Sequence, residues 1–158
     1  MANVEYINPF ITAAKSVMKN FCHIEATMGA PYITKTIFEG DKFVIMVGIT
    51  GQLTGQVIFS MSNETACDIA SHMMMGMPVP ELNDMACSAI SELSNMILGN
   101  SATVFSTKGI IIDITPPSVL MGTDMEITVS DAKTICVPLT YDDGANAFEI
   151  NIAVKAHA

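Results

Sequence analysis

The chain has 158 residues, half of them hydrophobic and 15% charged, with seven basic against sixteen acidic side chains and a formal net charge of −9. A chain of this length buries about two-thirds of its unfolded surface and needs no disulfide or metal staple, while its acidic surface repels phosphate backbones and sets nucleic acid aside as a partner. No apolar run approaches the roughly 18 residues of a membrane span, so one globular domain over residues 1–158 is expected, with no membrane attachment.

The stretch from Met1 to Phe10 has no basic start followed by an apolar run, so nothing in it marks export and the cytoplasm is the expected compartment. Cys22, Cys67, Cys87 and Cys136 form no C-x-x-C pair, and only His23, His72 and His157 could join them as ligands. They read as reduced, mostly buried thiols, with a structural zinc site as the remote alternative. Asn8-Pro9 predicts a helix start, with Asn8 as the cap and Pro9 at the first helical position, where its missing N–H does no harm. Ile7, Phe10, Ile11, Ala14, Val17, Met18 and Phe21 then carry the helical repeat. After the break at Ala30-Pro31, Tyr32 to Phe38 and Lys42 to Thr50 read as strands joined by a turn at Glu39-Gly40-Asp41. Leu53 to Met61 gives a third strand, and the short connection through Gly51 favours antiparallel neighbours.

Ser62-Asn63-Glu64 supplies capping oxygens and a carboxylate to a second helix, whose predicted buried side is Ala66, Ile69, Ala70, Met73 and Met77. Gly76 and Pro78 stop it. Met73, Met74 and Met75 read as filling for irregular core space rather than as an adaptable binding surface. Asn83 to Phe105 predicts the third helix. Beyond it, Ile110 to Ile114, Met125 to Val129, Lys133 to Leu139 and Ala147 to Val154 predict strands, with Pro116-Pro117 ending the first and Asp142-Asp143-Gly144 turning the last pair. In the last strand Phe148, Ile150, Ile152 and Val154 alternate with Glu149, Asn151 and Lys155, which predicts one buried and one wet face. The chain is therefore α+β, in the order helix, three strands, helix, helix and three or four strands. A faint twofold echo runs through that order without any sequence repeat.

The third helix carries the chemistry. At roughly 100° of turn per residue, Ser88, Glu92, Asn95 and Gly99 fall in one narrow stripe, while Ala86, Ile90, Leu93, Ile97 and Val104 fall on the opposite, core-facing side. Burial of that side fixes the rotation of the helix and aims Glu92 and Asn95 outward together. A carboxylate and a carboxamide on a wet helix face are ordinarily just solvated, so the pair alone identifies nothing.

Placed in its setting the pair says more. Ser88-x3-Glu92-x2-Asn95, followed by Gly99 and by a proline after the next strand, resembles the signature of the CheC/CheX/FliY phosphatases of bacterial chemotaxis. The opening Ile7-Asn8-Pro9-Phe10-Ile11, the single signature helix and the chain length resemble the CheX branch. The resemblance implies a CheC-like fold, with helices packed on antiparallel three-stranded β-sheets in the order helix-βββ-helix-helix-βββ. It implies hydrolysis of the aspartyl phosphate on a CheY-like response-regulator receiver, the phosphorylated partner bringing its own Mg²⁺, so that this chain binds no cofactor and has no metal ligands of its own.

Asn95 would be catalytic, its amide offering one acceptor and two donors with which to hold a water in line with phosphorus. Glu92 would be the second catalytic residue, docking on the receiver's lysine through a charge-assisted bond. Ser88 would edge the contact, and Gly99, which costs about 1 kcal/mol relative to alanine inside a helix, fits a place where another backbone comes close. Met85 and Met96 flank the stripe and fit a partner footprint. The resemblance also implies a homodimer joined through sheet edges, which exposed strand edges would favour.

Two features depart from the family pattern. Pro117 and Pro116 fall one and two residues short of the expected proline spacing. Glu5-x2-Asn8 repeats the E-x-x-N spelling, but Pro9 assigns Asn8 to the helix start as a cap. The alternative reading of the whole is a catalytically silent adaptor of the same family that docks on a receiver or a flagellar-switch component.

Overall fold

A computed structural model describes residues 4–129 and 133–157. Its longest strand shows how the layers arise. Successive side chains of a strand point to opposite faces, and in β3 (Ile37–Gly51) Phe43, Ile45, Val47 and Ile49 point one way into the main core while Val44 points the other way into a second, smaller one. Its hairpin partner β4 (Leu53–Ser62) adds Val57, Phe59 and Met61 to the same main face. The tight turn between them uses Gly51 at φ +102, and Gly55 at φ +143 lies so close to Ala153 of the next strand that a Cβ would meet its carbonyl oxygen.

Three helices supply the rest of the main core: α1 (Val4–Cys22), α2 (Asn63–Met73) and α3 (Asp84–Thr107). The strands β1 (Thr27–Met28), β2 (Tyr32–Thr34), β5 (Ile112–Ile114), β6 (Ser118–Glu126), β7 (Thr134–Tyr141) and β8 (Asn146–Ala156) complete one antiparallel sheet among the described residues, in the order β1-β7-β8-β4-β3-β5. On the outer sides β2 also pairs with β7 and β6 also pairs with β3. The expected α+β arrangement of helices on antiparallel strands is therefore present, with its groups of strands joined edge to edge into a single eight-stranded sheet among the described residues.

Several local expectations are corrected. Helix α1 already includes Val4, so Asn8 is not its cap and Pro9 lies inside the helix. Pro9 forfeits only the bond to the Glu5 carbonyl, a local loss that burial of Ile7, Phe10 and Ile11 on the same helix outweighs. Glu39-Gly40-Asp41 is not a chain reversal: β3 runs straight through it, with a register shift against β6 between Phe38 and Asp41. Gly40 at φ +74 and its N–H, donated to Asp124 Oδ1 at 2.7 Å, make this a bulge.

The strand expected over Met125 to Val129 is instead β6, which starts directly after Pro117 and ends at Glu126. The predicted wet face of β8 is covered at Asn151, which is 3% exposed and donates through Nδ2 to Ile58 O at 2.9 Å and Ser60 Oγ at 3.0 Å. Helix α2 ends at Met73, before its expected Met77, and Met75 beyond it is 97% exposed rather than core. The turn around Met75 and Gly76, both at positive φ, carries the chain off the helix axis and into solvent.

Candidate functional site on the third helix

Helix α3 is fixed at both ends and along one side. Asn83 is its N-cap, with Oδ1 accepting from the Ala86 N–H at 2.9 Å, and Asp84 adds a negative charge in the first turn, where the helix dipole favours it. At the other end Lys108 and Ile110 both donate their N–H groups to the Phe105 carbonyl, and Gly109 at φ +80 turns the chain away. The buried side is Ala86, Ile90, Leu93, Ile97, Leu98 and Phe105, with Ser94 and Ser101 beside them. The two serines spend their hydroxyls on the helix's own carbonyls, Ser94 Oγ donating to Ile90 O at 3.1 Å and Ser101 Oγ to Ile97 O at 2.7 Å. Small side chains there let α1 lie close, and Phe105 meets Phe10 edge-on with ring centroids 5.2 Å apart.

The opposite side is the predicted stripe. Ser88, Glu92 and Gly99 are exposed and Asn95 is half-buried. Among the described residues neither the Glu92 carboxylate nor the Asn95 amide makes a hydrogen bond or ion pair within the molecule. Met85 is 65% exposed at the start of the helix, whereas Met96 is half-buried and packs partly on the core. Of the two predicted flanking methionines, then, Met85 offers most of its surface to a partner and Met96 only an edge.

The sequence reading missed Ser91 and Ala102, which sit one turn before and two turns after Asn95 and are half-buried. With Ser88 and Gly99 they place small side chains before and after Asn95 along the helix. Their signal was small-residue spacing alone, which many buried helix faces share.

The rest of the titratable inventory offers no activated thiol among the described residues. Burial pushes the Cys22 thiol up to about 11, and burial with the Glu149 carboxylate pushes Cys136 up to about 12. Cys67 and Cys87, both half-buried, are also pushed up, by burial first and then by acidic neighbours. A nucleophilic thiol needs the opposite shift. Among the described residues no group of three or more His, Cys, Asp or Glu side chains is placed to hold a metal ion. The Glu5-x2-Asn8 pair is exposed on α1, so its dismissal as a cap no longer stands. It lacks the small companions of the α3 stripe, with Met1 four residues before Glu5 and Thr12 four after Asn8.

Three helices on one face of an antiparallel sheet, in this order, form the architecture of the CheC-like superfamily. A member from Shewanella sp. PV-4 superposes with a TM-score of 0.85 at 25% identity, covering 98% of this chain and 100% of that one. Within that class, a family model for chemotaxis phosphatase CheX matches residues 43–140. The CheY-P phosphatase CheX of Thermotoga maritima is 33% identical over 150 residues, 95% of this chain and 96% of that protein. The chain belongs to the CheX family. It is also similar to the CheX of a CheX-CheY-BeF3-Mg²⁺ complex from Borrelia burgdorferi, with 31% identity, a TM-score of 0.79, and coverage of 97% of this chain and 99% of that one.

Proposed function

We propose that this chain is a phosphatase that accelerates hydrolysis of the aspartyl phosphate on a CheY-like receiver. The observation that carries the reading is the pairing of Glu92 and Asn95 on the outer side of a capped, core-anchored helix, with neither side chain engaged within the molecule. The activity named for the Thermotoga maritima relative, and the CheY complex of the Borrelia burgdorferi one, support it.

An amide is no general base, so Asn95 acts by position. Its carbonyl oxygen accepts from, and its N–H groups donate to, a water held opposite the scissile bond. As the water oxygen bonds to phosphorus, the bond from phosphorus to the carboxylate oxygen breaks, the aspartate leaves as a carboxylate and inorganic phosphate is released. Mg²⁺ carried by the phosphorylated partner balances the developing charge, so the phosphatase need not bind metal itself. Glu92, one turn earlier, accepts from the receiver's lysine and sets the register of the helix in the partner's site. The small side chains at Ser88 and Gly99 give the partner's backbone room, and Met85 and Met96 supply apolar contact at the rim.

Phosphate release from an acyl-phosphorylated, Mg²⁺-loaded receiver is expected to rise with this protein and to return to background with Asn95→Ala, while Glu92→Ala weakens binding. Full activity of the Asn95→Ala protein removes Asn95 from the mechanism. Binding without any acceleration by the wild-type chain establishes the adaptor reading instead.

For assembly we propose a homodimer joined through β6, an edge strand that pairs only with β3 among the described residues and exposes Val119 and Met121. Such an edge offers unpaired backbone groups to a second copy. Light scattering is expected to give twice the chain mass, and a monomer at working concentration overturns this assignment.

A further inference from the structure

A groove of about 710 Å³ lies outside the α3 stripe, between the exposed side of α2 and the connection that leads from α2 to α3. Its apolar surface comes from Val79, Leu82 and Met121, the last a partner contact if β6 joins the homodimer proposed above, and its charged walls from Glu64, Asp68 and Glu81, with no cationic side chain in the lining. The carboxylates differ in what they are doing. Asp68 is occupied, accepting from the Tyr141 phenol at 2.6 Å and lying 3.4 Å from His72 Nε2. Glu64 and Glu81 have no hydrogen-bonded or ion-paired side-chain partner among the described residues, and both act electrostatically on the same Cys67 thiol, which places them on one groove. Met75 and Met77, 97% and 61% exposed, stand on the adjoining turn, and Met121, 55% exposed, lines the groove itself.

Unpaired carboxylates on both walls, an apolar floor and flexible thioethers on the lining and the adjoining turn form one surface, and its complement is apolar side chains flanked by positive charge. Methionine adapts to such side chains without a fixed shape, opposite charge steers and orients the approach, and a volume of this size takes the anchoring side chains of one helical face. We propose that this groove docks a lysine- or arginine-rich amphipathic helix of a partner protein, as an interaction separate from the Glu92 and Asn95 stripe.

The test uses fluorescence anisotropy with a labelled 14-residue amphipathic helix of lysine and leucine, against a peptide of the same composition scrambled to destroy the apolar face (roughly four turns each). Three proteins are compared: wild type, Glu64→Gln with Glu81→Gln, and Asp142→Asn with Asp143→Asn. The last removes equal charge from an exposed turn elsewhere. The amphipathic peptide is expected to bind wild type at least tenfold more tightly than the scrambled one. Its affinity is expected to fall at least tenfold in the Glu64/Glu81 variant and less than twofold in the Asp142/Asp143 variant, with receiver dephosphorylation unchanged in both. Equal losses in the two variants, or equal binding of the two peptides, reduce the effect to net charge and overturn the proposal. So does binding that moves amide signals on α3 and none on α2.

Discussion

At Gly99 the helix gives up stability that nothing inside the molecule requires. Its φ is ordinary, and an added Cβ would meet no atom within 4 Å. Gly99→Ala is therefore expected to raise stability by up to about 1 kcal/mol while lowering the affinity for a phosphorylated receiver, because the added methyl fills space left for the partner. A thermal melt and a binding titration on the same protein check both halves. Asn8 is the contrasting residue. It shares the E-x-x-N spelling and is exposed, but Thr12 stands where α3 has its glycine. Asn8→Ala is expected to leave phosphate release at the wild-type rate, and a loss comparable to that of Asn95→Ala would establish a second site on α1.

Among the elements, α3 depends on its ends as much as on its buried side. Asn83→Ala removes the acceptor for the Ala86 N–H and is expected to cost about 1 kcal/mol, seen as a fall of roughly 2–4 °C in Tm with the Glu92 and Asn95 side chains untouched. This helix was also the most legible stretch of the sequence, because aliphatic side chains at helical spacing and a strong capping residue agree about where it starts and which way it faces.

The misread elements share a different physics. Glu39-Gly40-Asp41 reads equally as a hairpin turn or a bulge, since both need glycine at positive φ, and only the presence of β6 alongside decides between them. Asn8-Pro9 obeys the rule for a helix start, yet the buried side chains of α1 carry the helix back past it. The burial of Asn151 was hidden in the same way, because the carbonyl and hydroxyl that satisfy it belong to β4, some ninety residues earlier. The candidate site on α3 was readable because one helix holds all of it. The acidic groove was not, because α2, the following connection and β6 each contribute a part.

For the molecule as a whole, protons buried in the fold set the alkaline limit of stability. Cys22, held at about 11, and Cys136, held at about 12, keep their protons in the folded state well above the ordinary thiol value of 9.0, and burial with the Asp68 carboxylate pushes Tyr141 up as well. The unfolded chain releases these protons first, so stability is complete below about pH 9 and declines as the pH rises through the folded-state values. Melting temperatures measured from pH 8 to 11 are expected to fall along that course, and the Cys22→Ala/Cys136→Ala double variant is expected to fall less steeply. Near neutrality none of this bears on the outward pair of α3, which is ready in the free protein and has no internal bond to break before use. On the proposed mechanism the chain lends only placement, and so multiplies whatever reactivity its partner already owns. Receivers that shed phosphate quickly when alone therefore remain the quick ones in its company, and the slow remain slow, with one common factor across the series.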